Sequence, residues 1–105
     1  MTLQNKQSRF VFLVGKLIDF AYNRKYAFTF GDAARMDEEG HKPNSFHYRR
    51  LAIDLNLFVN GKYKDKYCAE WQILGDHWKS LDIDCTWGGD FEGLDYNHFS
   101  FGERE

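Results

Sequence analysis

Residues 51–63 read LAIDLNLFVNGKY, and this stretch decides the fold class. Leu51, Ile53, Leu55 and Leu57 alternate with Ala52, Asp54 and Asn56, the period-two pattern of a strand with one apolar face. Branched and aromatic residues continue to Val59, where Asn60-Gly61 supplies a dipeptide that favours a tight hairpin turn, and Lys62-Tyr63 starts the return. A hairpin brings antiparallel pairing with it. Within this strand Asp54 stands on a small, polar face, and a carboxylate there is costly unless it is paired or bound to a metal.

Working outward, Phe10, Leu13, Val14, Leu17, Ile18 and Ala21 recur at helical spacing, so a core-packing helix is expected from Ser8 to about Asn23. Tyr26 to Phe30 is short and aromatic and runs into Gly31-Asp32, as a strand running into a loop does. The segment onward to Asn44 holds Asp37-Glu38-Glu39-Gly40 and Pro43 and reads as connection. After the hairpin, Asp65 can cap a second helix with an apolar stripe of Tyr67, Trp71, Leu74, Trp78 and Leu81, weakened at Gly75. Asp82 to Gly93 is rich in glycine and aspartate and reads as loop, and His98 to Phe101 as a last strand. The order helix, strand, hairpin, helix, strand predicts an α+β fold, a small antiparallel sheet packed against helices.

The chain has 105 residues, 43% hydrophobic and 18% aromatic, enough for one domain over 1–105 with one bulky core. A net charge of -2 argues against a general nucleic-acid binder, which carries a basic face or stripe. Arg49-Arg50 and the Lys62 to Lys66 stretch read as solvated surface. No stretch reaches the roughly 18 to 20 apolar residues of a membrane span, and the first residues lack the apolar run of a secretory signal. The expectation is a chain made and kept in the cytoplasm, without stable membrane insertion. Cys68 and Cys85 are too few and too far apart for a disulfide framework or a C-x-x-C site, so free thiols are expected.

The chemistry concentrates in Ser45 to Asp54 and in Asp95-Tyr96-Asn97-His98. His47, Asp54, Asp95 and His98 offer two imidazoles and two carboxylates. Three such groups can hold Zn²⁺ and leave a fourth position for water, with the second carboxylate beside that water as its base. His47 and Asp54 are an odd number of residues apart, so one uninterrupted strand would point them to opposite faces; the chain must bend at Tyr48-Arg49-Arg50. Asp95 and His98 lie close enough in sequence to meet in a turn. His41 in a polar loop and His77 beside Trp78 read as ordinary histidines. Trp87 reads either as lining a substrate groove or as a core aromatic capping the sheet, and Gly88-Gly89 either as room for a substrate backbone or as a plain turn.

These residues resemble the signature of the zinc peptidases that include D-alanyl-D-alanine carboxypeptidases, vancomycin-resistance D,D-dipeptidases and phage L-alanyl-D-glutamate endolysins, which share a Hedgehog-type fold. The family pattern is S-x-H-x-x-G-x-A-x-D followed by [E/D]-x-x-H. Ser45, His47, Ala52 and Asp54 match the first part, Asp95 and His98 the second, and Trp87-Gly88-Gly89-Asp90-Phe91 looks like the phage-type branch. The resemblance covers roughly Gly31 to Phe101.

It implies that His47, Asp54 and His98 are zinc ligands and that Asp95 is the general base. It implies a substrate-side role for Arg35, which could hold a carboxylate or polarise the scissile carbonyl; Ser45 and, on the groove reading, Trp87 are expected beside it as substrate contacts. Two positions depart from the pattern. Arg50 stands where the family has glycine, so the bend is expected without a freely positive φ there or with a different turn, and Glu39 stands where relatives have glutamine.

The reading is a zinc metallopeptidase that hydrolyses an amide bond in the stem peptide of bacterial peptidoglycan, an endolysin of the L-alanyl-D-glutamate type. It would act as a monomer held in the host bacterial cytoplasm until released to the wall. The alternatives are a D-alanyl-D-alanine carboxypeptidase and a non-catalytic zinc-containing binding domain. No cell-wall-binding module is read in the chain, and its mild acidity gives no obvious attraction to an anionic envelope.

Overall fold

The computed structural model describes residues 1–31 and 49–102. In chain order its elements are helix α1 (Leu3–Asn23), strands β1 (Tyr26–Phe30), β2 (Ala52–Val59) and β3 (Lys62–Tyr63), helix α2 (Ala69–Leu81), and strands β4 (Cys85–Trp87) and β5 (His98–Phe101). A 3₁₀ turn, Gly88–Asp90, follows β4 directly. The sheet runs β1-β2-β5-β4, with β3 also paired to β2, and every pairing is antiparallel. This is the α+β architecture expected from the hairpin.

Strand β2 is central because it carries partners along both edges. Tyr26 to Phe30 pair with Val59 down to Leu55 on one side. On the other, β5 takes Ala52 to Asp54 and β3 takes Phe58 and Val59. The expected alternation holds: Leu51, Leu55 and Leu57 are buried and Ile53 packs against the core, while Asp54 and Asn56 occupy the opposite face.

Both helices pack on the apolar face. Phe10, Leu13, Leu17 and Ala21 of α1 and Trp71, Leu74 and Trp78 of α2 meet the leucines of β2 together with Phe99 and Phe101. Trp78 holds the layers together. Its ring stands edge-on to Phe10 at 6.0 Å and to Phe99 at 5.9 Å, arrangements worth about 0.5–1.5 kcal/mol each beyond the area they bury. Its indole N–H donates to the carbonyls of Thr86 (3.0 Å) and Ser100 (3.2 Å), which ties α2 to both β4 and β5.

The element boundaries correct several expectations. Helix α1 begins at Leu3, ahead of Ser8, because the Thr2 hydroxyl accepts from the Asn5 amide (3.1 Å) and caps the first turn. Asp65 does not cap α2. The chain is still leaving the sheet there: the Lys64 amide donates to Leu57 O, and Lys64 O accepts from the Trp71 indole at 2.9 Å. The helix starts after Cys68, and Tyr67 lies outside it, exposed. Strand β4 arises inside the segment expected to be loop. It is three residues long, too short to show a period, and its pairing with β5 puts Cys85 and Trp87 in the core. Gly75, a poor helix former by propensity, faces that tryptophan: a Cβ there would lie 2.2 Å from a Trp87 ring carbon.

Candidate metal centre

The register of two strands builds the site. Antiparallel pairing sets Asp54 directly opposite His98, and directly opposed residues share a face. Both side chains therefore emerge on the side of the sheet away from Ile53 and Phe99. His98 Nδ1 lies 3.7 Å from Asp54 Oδ1, and the two side chains are only 12% and 13% exposed. That separation is longer than a hydrogen bond.

Asp95 reaches the same place by a turn. The His98 amide donates to Asp95 O (3.1 Å), and the Asp95 amide donates to Gly88 O (2.8 Å), so the approach to β5 is fastened to the 3₁₀ turn after β4. One donor atom from each of Asp54, Asp95 and His98 lies within 4.8 Å of the other two. Asp54 and His98 are recessed, whereas Asp95 is exposed at the rim. Solvent thus meets Asp95 first.

Two glycines permit this approach. A Cβ on Gly88 would sit 2.1 Å from Asp95 O and 2.8 Å from His98 Cβ, so any side chain there pushes the Asp95 turn away. Gly31 backs the other carboxylate: its amide donates to Asp54 O (2.8 Å), and an added Cβ would lie 2.9 Å from Asp54 Cβ. The 3₁₀ turn is held from below by Lys79, whose Nζ is 2.8 Å from Asp90 Oδ2; that contact, ahead of its weaker interactions with Asp76, raises the Lys79 pKa. Phe91 completes a wall, its ring 5.2 Å from that of His98.

The donor chemistry fits a divalent cation. Two carboxylates held this close repel each other, and a cation between them removes the repulsion. Imidazole with carboxylate oxygen suits zinc, and also cobalt or manganese. Among the described residues, Asp54, Asp95 and His98 are the group of histidine, cysteine and acidic side chains close enough to hold an ion.

His47, Arg35 and Ser45 lie outside the described residues, as do Glu39 and His41. Trp87 is not a groove residue: it is 1% exposed, and its indole N–H donates to Tyr96 O at 2.8 Å. The packing demand of β4 against α2 takes it inward. Gly88 serves the close approach of the chain's own Asp95 turn. Arg50 adopts φ 57°, so the bend does use a left-handed residue, and a side chain is carried where the family pattern has glycine. His77 stacks on Phe20 at 3.7 Å, and burial lowers its pKa. Cys68 and Cys85 are free thiols; burial, ahead of nearby Asp82, pushes Cys85 up to about 12.

Phe91, Gly31 and Lys79 were not singled out from the sequence. Only Phe91 had a visible signal, its place at the end of Trp87-Gly88-Gly89-Asp90-Phe91. The contacts of Gly31 and Lys79 with the site are made across the fold and leave no local pattern.

Comparison with protein-family models matches residues 39–101 to the family described as D-alanyl-D-alanine carboxypeptidase. A search of curated proteins finds no match. The matched span is more than half of the 105 residues and includes His47, Asp54, Asp95 and His98, whereas α1 and β1 precede it. Its members are peptidases that typically depend on a metal, in keeping with the donor set that β2 and β5 assemble. The chain belongs to this D-alanyl-D-alanine carboxypeptidase family.

Proposed function

We propose that the protein is a zinc-dependent endopeptidase of the endolysin type, with residues 1–105 as its catalytic domain, which hydrolyses an amide bond in the stem peptide of bacterial peptidoglycan. The observation that carries this reading is the convergence of Asp54, Asp95 and His98 donor atoms within 4.8 Å in a chain of this peptidase family.

His47, Asp54 and His98 would hold the ion. When bound there, zinc supplies Lewis-acid polarisation of the scissile carbonyl and brings the pKa of water down to ~7. Asp95, exposed at the rim, accepts the proton of the attacking water and returns it to the leaving amine. The recessed position of Asp54 and His98 suits holding, and the solvent-facing position of Asp95 suits proton exchange. Arg35 would bind a substrate carboxylate or polarise the carbonyl, and Ser45 would contact the substrate. A purely structural zinc site has no use for the rim carboxylate, which favours catalysis over a non-catalytic binding domain.

A D-alanyl-D-alanine carboxypeptidase is the second reading, favoured by the description of the matched family. An exopeptidase needs a closed pocket with a cation for the free carboxylate, whereas Asp95 stands exposed at the rim of this site, as an open groove requires. The endopeptidase of L-alanyl-D-glutamate type, monomeric and held in the host cytoplasm until released to the wall, is therefore preferred. Mass spectrometry of purified peptidoglycan after digestion separates the two. New amino termini inside the stem peptide support the endopeptidase; release of free D-alanine with the rest of the stem intact establishes the carboxypeptidase.

A further inference from the structure

We propose that the outer face of α1 binds the surface of an anionic phospholipid bilayer, with the protein lying on the membrane rather than crossing it. The inference is independent of the peptidase chemistry, and α1 precedes the span matched to the family.

The helix has two unlike faces. Phe10, Leu13, Leu17 and Ala21 are buried in the core, whereas Val11 is 68% exposed and Phe12 53% exposed on the far side. Tyr22, three turns beyond Val11, is exposed as well. Phe12 is bracketed by cations: Lys16 Nζ lies 4.9 Å from its ring centroid and the Arg9 guanidinium 5.5 Å. A shallow groove beside it is lined by Met1, Asn5, Ser8, Arg9 and Phe12.

Charge selects the occupant. Residues 1–31 hold Lys6, Arg9, Lys16, Arg24 and Lys25 against Asp19 alone, although the whole chain carries a net charge of -2. Arg9 is shared with Asp82 at 3.2 Å, which leaves Lys16 as the cation beside Phe12 without an ion-pair partner among the described residues and open to an outside anion. A basic helix face with exposed aromatic and branched residues matches the headgroup region of an anionic bilayer, which accepts both charge and apolar side chains. A soluble polyanion would use the charge and leave Val11 and Phe12 in water. No helix of the described residues is long and apolar enough to cross a membrane, so the contact is superficial.

The test is cosedimentation of the full chain with phosphatidylglycerol-containing vesicles and with pure phosphatidylcholine vesicles. Binding should occur to the first and not the second and should weaken with added salt. Lys16→Glu should lower affinity by about fivefold or more. The paired change Val11→Ser with Phe12→Ser, on side chains outside the core, should abolish most of it while leaving the circular dichroism spectrum unchanged. Equal binding to both vesicles, or none to either, overturns the proposal. So does anionic binding that survives Val11→Ser with Phe12→Ser and is competed by soluble polyphosphate, the result expected of a face that reads charge alone.

Discussion

Asp54 and His98 face each other across the β2–β5 ladder, with His98 Nδ1 3.7 Å from Asp54 Oδ1 and both side chains recessed. They lie far apart in sequence, so only the strand register brings them together. A slip of one residue would turn one of them into the core face. The buried rows to either side oppose such a slip: Ile53 pairs with Phe99, and Phe99 packs against Trp71 and Trp78. The hydrophobic core thus sets the geometry of the site.

Gly88→Ala tests how closely the Asp95 turn is held. Because the new methyl would overlap Asp95 O, the variant should lose about 1–3 kcal/mol of stability, read from the urea midpoint. Activity should fall further than stability explains, since the displaced atoms carry the rim carboxylate.

Arg50→Gly should stabilise the protein. The left-handed φ of 57° strains a residue with a side chain, and glycine relieves that strain at some expense in unfolded-state entropy. A net gain of about 0.5–1 kcal/mol is expected in urea denaturation. A loss would mean that the Arg50 side chain contributes more than its backbone strain removes.

The two thiols should differ in reactivity. Cys85 is buried, with its pKa pushed up to about 12, whereas Cys68 is half-buried. Titration of the native protein with a disulfide reagent at about pH 8 should show one fast thiol, with the second appearing only on unfolding. Cys68→Ala should remove the fast phase.

His77 gives a pH dependence of known sign. Burial against Phe20 lowers its pKa from 6.5, so the unfolded chain takes up a proton that the folded chain resists. Its contribution to stability is fully present above 6.5 and is lost as pH falls below that value towards the folded pKa. Between about pH 7.5 and about pH 5.5, the urea midpoint of the wild type should fall more than that of His77→Gln.

Much of this was legible in the sequence because β2 carries a clean alternation and ends in Asn60-Gly61. The same alternation placed Asp54 on the polar face. The start of α2 is not legible because Asp65 looks like a cap, while the actual connection is held by a side-chain bond from the Trp71 indole back to Lys64 O, which no local pattern announces. Strand β4 has no local signature, and Trp87 went to the core because α2 offers it the space above Gly75. The pairing of Asp54 with His98 depends on register, a property of two distant segments that neither reveals alone.

The proposed role of Asp95 is that of base to a metal centre whose ligands would include Asp54 and His98. The most direct measurement compares peptidoglycan digestion by the wild type and by Asp95→Ala, both zinc-loaded, with metal content measured on the same samples. Asp95→Ala should retain zinc and lose about a hundredfold or more in rate. Cleavage at the wild-type rate, or loss of zinc together with activity, would contradict the assignment.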